Sequence, residues 1–156
     1  MAQIDNLETL LSSDNTNKSI IELDNFIGDL CAYGDNMDKL TEPQKQFYYN
    51  QCLEREINNG GFNQYFANSS GGFAHQTVQS LILIGASATA QIFQKAIDQF
   101  PDNKVPQDRN KRIELVEQME VTSNDVWEEL EEKFFSYEDN LNMLNLSFVK
   151  QHKSDF

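Results

Sequence analysis

The chain has 156 residues, 39% of them apolar, including eleven Phe, five Tyr and one Trp, and a net charge of −13. That length suits one domain, 1–156, able to bury about 68–70% of the unfolded chain's surface. The aromatic content excludes a disordered polyanion. The sign of the charge excludes direct binding of nucleic acid or an anionic membrane and favours basic protein partners.

The charge is segregated. Residues 1–38 hold eight acids and one base, residues 39–112 six acids and eight bases, residues 113–139 ten acids and one base, and residues 140–156 one acid and two bases. Two acidic flanks, 1–38 and 113–139, therefore enclose a nearly balanced middle. Cys31 and Cys52 make neither a disulfide framework nor a zinc pattern, and both fall within apolar helical spacing. Buried free thiols and a cytoplasmic location are expected. The first residues lack the basic and apolar regions of a signal peptide, and the densest apolar stretch, 80–90, is too short for a bilayer.

Apolar spacing is helical almost throughout. Ile4, Leu7, Leu10 and Leu11 predict a short first helix. Ile20, Leu23, Ile27, Leu30 and Cys31 predict a second, closing near Gly34. Thr41-Glu42-Pro43-Gln44 reads as a capping box with Pro in the first turn. The helix it starts carries Tyr48, Tyr49, Cys52, Leu53 and Ile57 and stops at Asn59-Gly60-Gly61. A helical turn at 62–66 and a loop at 68–72 follow. Val78, Leu81 and Ile82 mark the next helix, ending near Gly85. Ser87 is the expected cap of one bearing Ile92, Phe93, Ala96, Ile97 and Phe100. Beyond the loop 101–107, Ile113, Val116 and Met119 mark another. Thr122 or Ser123 is the expected cap of a helix whose apolar residues are Val126, Trp127, Leu130, Phe134 and Phe135. Leu141, Leu144, Phe148 and Val149 mark the last. The expectation is all-α: a multi-helix domain of about eight helices with a Gly-Gly break in the middle.

The most distinctive segment runs from Glu54 to Asn68. Gly60 and Gly61 permit positive φ at a helix end. Phe62, Tyr65 and Phe66 recur at one-turn spacing, so one face of a short helix can plug a core. Glu54, Glu56, Asn59, Gln64 and Asn68 surround the break. The structural reading is a rigid corner in which Glu54, Glu56, Asn59 and Gln64 satisfy freed backbone groups. The functional reading is a small-ligand or enzyme module around these residues, beside His75.

The pattern Glu-x-Asn-Asn-Gly-Gly-Phe-x-Gln-Tyr-Phe-x-Asn, with Gly71, Leu81-Ile82-Leu83-Ile84-Gly85-Ala86 and the stretch from Ile92 to Phe100, resembles a bacterial DNA-mimic protein family. That family is mostly of unknown function. The resemblance is sharpest over 44–100. It implies an all-helical homodimer. For the mimic member it implies an acidic surface that occupies the DNA-binding face of a transcriptional regulator.

The acidic run of the C-terminal flank supports the same function on physical grounds. With Val126, Trp127 and Leu130 facing the core, Asp125, Glu128, Glu129 and Glu132 share the outer surface of one helix. Glu131, Glu138 and Asp139 extend the set. Residues four apart rise by about 6 Å along a helix, a spacing on the scale of DNA's phosphate charges. Like charges one turn apart each cost about 0.2–0.5 kcal/mol, so the row is tolerable without function and can equally be a solvated face. Asp125, Glu128, Glu129, Glu131, Glu132, Glu138 and Asp139 are the candidate partner-binding residues. Glu114, Glu117 and Glu120 precede them. Glu22, Asp24, Asp29, Asp35 and Asp38 are the N-terminal counterpart.

No residue set is assigned to catalysis, a cofactor or a metal. His75 and His152 are the only histidines. His152 lies in a tail expected to fray. Ser69 and Ser70 near His75 lack an orienting carboxylate. Glu54 and Glu56 point to different faces of a helix. Arg109, Lys111 and Arg112, the one basic cluster, are expected to pair with nearby acids. The function expected is a non-enzymatic protein that binds a basic DNA-binding protein or regulator. An immunity protein neutralising a basic toxin is the alternative with the same charge logic.

Overall fold

In the computed structural model, residues 2–156 are described. They form eight α-helices and no strand: α1 (Leu7–Ser12), α2 (Thr16–Leu30), α3 (Glu42–Ala67), α4 (Ala74–Leu83), α5 (Ser87–Ile97), α6 (Arg109–Thr122), α7 (Asn124–Phe135) and α8 (Leu141–Gln151). The fold is all-α, as the spacing predicts. Helix α3 is the hub. Helices α2, α4, α6, α7 and α8 all pack on it, while α5 joins α4 to α7.

Helix α3 starts as its sequence dictates. Gln44 N–H donates to Thr41 Oγ1 at 3.2 Å and Thr41 N–H donates to Gln44 Oε1 at 3.0 Å, completing the capping box. The helix then runs to a break at Gly61, whose φ of 73° and ψ of −166° lie where only glycine is at ease. A short second arm, 62–67, leaves at a new angle. Its Phe62, Tyr65 and Phe66 are fully buried. They meet Phe93, Phe100 and Trp127 in an aromatic cluster, with Phe66 and Trp127 stacked at 5.4 Å and Phe66 and Phe100 edge-on at 4.8 Å. Aromatic pairs of this geometry add about 0.5–1.5 kcal/mol each beyond area burial.

A broken helix exposes an N–H at the start of its second arm and carbonyls at its end. The sequence pointed to Glu54, Glu56, Asn59 and Gln64 as their partners, and this is corrected. The Phe62 N–H donates to Glu131 of α7 at 2.7 Å. At the other end Arg112 of α6 donates to Phe66 O and Asn68 O, both at 2.9 Å, and Arg109 donates to Ala67 O at 3.1 Å. Arg112 also reaches Pro106 O and Gln107 O, and it is only 2% exposed. The expectation that these arginines pair with acids therefore fails. They neutralise the carbonyl end of the second arm, where the helix dipole is negative. Burial first, and then the charge of Arg109, pull the Arg112 pKa below its ordinary value.

Other departures have local causes. Ser87 does not cap α5; Asp139 does, accepting from Thr89 N–H at 2.7 Å and Thr89 Oγ1 at 2.9 Å. Ser123 holds the cap position of α7 without a side-chain bond. Trp127, Leu130 and Phe134 form the buried stripe of α7, which leaves Val126 and Phe135 exposed. Ile82 of α4 is exposed for the same reason of register. The C-terminal tail does not fray: Phe156 is buried edge-on against Phe47, and the His152 ring lies on Phe148. Cys31 and Cys52 are buried free thiols, as expected.

Three outcomes follow for stability. Gly61→Ala should cost about 1–3 kcal/mol from backbone strain alone, and more because its Cβ collides with the Glu131 carboxylate. Glu131→Ala should cost about 1–3 kcal/mol by orphaning the Phe62 N–H, while Glu131→Gln, which keeps an acceptor, should cost less. Arg112→Lys should cost at least about 2 kcal/mol, since one ammonium cannot span the carbonyls that the planar guanidinium holds. Urea melts check each value. Burial pushes the Glu131 carboxyl up. The folded state therefore binds that proton more tightly than the unfolded state. Glu131's contribution to stability should rise as pH falls through its folded value and level off below the ordinary glutamate value. Glu131→Gln should remove that part of the profile in a pH series of melts.

Candidate protein-interaction surface

Helices α6 and α7 follow one another through the single residue Ser123 and pack together. Their apolar stripes fix which acids face outward. Arg112, Val116 and Met119 of α6 point inward, which leaves Glu114, Glu117 and Glu120 exposed at one-turn intervals. On α7 the buried Trp127, Leu130 and Phe134 leave Asp125, Glu128, Glu129 and Glu132 exposed, and Glu138 is exposed beyond the helix.

The candidate row is thinner than the sequence suggested. Glu131 turns inward to Phe62 and Asp139 turns to the start of α5. Both are fold-supporting caps, so they leave the set of outward charges. The remaining candidates are Asp125, Glu128, Glu129, Glu132 and Glu138. Among the described residues only Glu129 of these has an ion pair, with Lys133 at 3.0 Å. Glu128 accepts a hydrogen bond from Asn124 at 2.9 Å. A periodicity argument cannot find the two lost members, because both are claimed by backbone groups remote in sequence.

The N-terminal acids are divided in the same way. Asp24 pairs with Arg55 at 2.7 Å, and Glu22 lies 3.8 Å from Lys18. Asp29, Asp35 and Asp38 are exposed. They are carried by α2 and the turns after it, and α2 packs on α3 and α8, whereas α7 packs on α5 and α3.

The residues of the glycine corner are not gathered into one site. Glu56 accepts from Gln64 Nε2 and Asn68 Nδ2, both at 2.9 Å, and ties the two arms of α3 together. His75 is elsewhere, accepting from Val105 N–H at 3.1 Å through Nε2. Asn59 and Gly60 are exposed. Glu54 faces the opposite way. It accepts from the hydroxyl of Tyr137 at 3.2 Å, and that hydroxyl also receives a bond from Asn58 at 2.9 Å. The groups that the sequence set beside His75 are therefore engaged with separate partners.

No helix of the described residues is long and apolar enough to cross a membrane. No curated protein and no solved structure matches the chain. A family model, that of DMP19-like protein, matches residues 38–152. This corrects the family named from the glycine motif: the matching family is described as DMP19-like protein, not by DNA mimicry. The match also reaches well beyond 44–100, taking in α6, α7 and all of α8. Spanning about three quarters of the sequence, it shows that the chain belongs to the DMP19-like protein family.

Proposed function

We propose that this protein is a non-enzymatic, DNA-mimic-like interaction protein whose α6–α7 carboxylates occupy the nucleic-acid-binding surface of a basic DNA-binding protein or transcriptional regulator. The observation that carries the reading is the exposed array Glu114, Glu117, Glu120, Asp125, Glu128, Glu129, Glu132 and Glu138, in which Glu129 alone has an ion pair among the described residues. A solvated face could discharge itself with interspersed lysines; this one carries Lys133 and little else. The charge steers a basic surface into encounter, and the carboxylates then accept from its Lys and Arg side chains. Membership of the DMP19-like family agrees with such a role at the level of family.

The protein acts as a homodimer in this reading. Phe135, 47% exposed beside the acidic face, supplies apolar surface for pairing. Light scattering should return twice the 18.0 kDa of the chain. A pull-down at low salt should recover a basic DNA-binding protein. Double-stranded DNA should compete with that complex, and added salt should weaken it. Replacing Glu128, Glu129, Glu132 and Glu138 by Gln should weaken the complex by about tenfold or more, given about 0.2–1 kcal/mol per exposed pair. Glu131 and Asp139 are left intact in that variant because they hold the fold. Undiminished binding, or failure of DNA to compete, overturns the assignment.

A further inference from the structure

Away from the glycine break, α3 turns Gln51, Glu54 and Asn58 toward α2 and the start of α8. Facing them are Asn17 and Asp24 of α2 and Asn142 of α8. Two adjoining depressions, about 390 and 260 Å³ in volume, share Asn17, Glu54 and Asn142 as walls. The smaller is also lined by Gln51, Asp24 and Arg55.

Three polar atoms in this wall are buried with no hydrogen-bond partner: Asp24 Oδ1, Glu54 Oε2 and Gln51 Nε2. Gln51 is only 6% exposed, so bulk water does not serve its amide. Such groups are uncommon in folded proteins, and each calls for an explanation. Each carboxylate has one oxygen already engaged. Arg55 donates to Asp24 Oδ2 at 2.7 Å, and Tyr137 donates to Glu54 Oε1. The second oxygen of each is left over. Terminal carboxylate torsions are soft, and binding requires each carboxylate to rotate until that oxygen meets the groove.

The unmet groups define their complement. Two acceptors call for two donors, and one amide N–H calls for one acceptor. Two carboxylates against the single Arg55 leave one negative charge over. A monocation therefore balances the groove, and Ile20 and Ile21 offer aliphatic surface beside it.

We propose that this groove binds a primary ammonium group with an oxygen acceptor a few bonds away. The ammonium donates to Glu54 Oε2 and Asp24 Oδ1, and the oxygen accepts from Gln51 Nε2. A small amino alcohol or amino-acid amide carries this chemistry, and so does the free N-terminus of a polypeptide. The site lies on a different face of α3 from the break that α6 and α7 cap, and it does not depend on the acidic array.

The test is an NMR titration of the full-length protein, reading the side-chain amide signals of Gln51. Glycinamide and ethanolamine should shift them saturably. n-Propylamine, which lacks the acceptor, and acetamide, which lacks the charge, should each bind at least about tenfold more weakly, the loss of one charge-assisted or neutral bond. Glu54→Gln should weaken glycinamide by a similar factor. The variant lacking Glu128, Glu129, Glu132 and Glu138 should bind it unchanged, which separates this site from the partner surface. A peptide with a free N-terminus, against its acetylated twin, distinguishes a chain end from a free amine.

If Glu54→Gln does not fold, the wild-type pH dependence decides. Facing Glu54 are Asp24 of α2, its own neighbour Arg55 and Tyr137, while the α8 side offers Asn140, Leu141 and Asn142 without charge. Burial pushes the Glu54 carboxyl up, so affinity for glycinamide should fall as acidification protonates it. No saturable shift at Gln51, equal shifts from acetamide, or pH-independent binding would each leave an ordered water as the only occupant and overturn the proposal.

Discussion

The break in α3 at Gly61 is the constraint on which the rest of the molecule depends. It sends Phe62, Tyr65 and Phe66 into the core at an angle that a continuous helix could not reach. A break also leaves helix ends that must be satisfied without water. Here the ends are met from far away in sequence. Glu131 takes the freed N–H, and Arg112 and Arg109 take the freed carbonyls. Three charged side chains from α6 and α7 are thereby committed to α3. The same bonds lock α6 and α7 in place, so the helices that carry the outward acids are anchored by one acid and two arginines that face inward.

This division of labour matters for the proposed function. An acidic run on a helix is usually a solvated face, and each like-charge pair costs little. What distinguishes α6 and α7 is that their inward charges are fully used while their outward ones are almost unpaired. The carboxylates are therefore held on a rigid frame, with their register set by Trp127, Leu130 and Phe134. A rigid array loses less freedom on meeting a basic surface than a flexible tail would. Asp139 adds a further fixed point by capping α5, which holds the segment after α7 against the body of the protein.

Much of the helical plan was legible. The Thr41-Glu42-Pro43-Gln44 box forms both of its bonds, because capping is a local contest decided within four residues. The second arm of α3 was legible as well, since one-turn spacing of three aromatics after two glycines has few other uses. Registers were harder. Val126 was expected to face the core and lies outside, as do Phe135 and Ile82, because each sits about a quarter turn from a stripe that tertiary packing chose. Ser87 offered the right cap chemistry, but the carboxylate of Asp139 reached the start of α5 instead.

By itself the sequence determined the all-α class, the glycine break, the aromatic plug and the segregation of charge. These follow from periodicity, backbone preference and composition, which act over a few residues or over whole segments. Only the tertiary structure decided which charges are spent inside the fold. Glu131 and Asp139 look like their acidic neighbours in sequence, yet each serves a backbone N–H some fifty or more residues away. The orphaned oxygens of Asp24 and Glu54 beside Gln51 were equally hidden. Whether a carboxylate is free, capping or waiting for a partner is fixed by what lies within hydrogen-bonding reach of it, and that is a property of the packed chain.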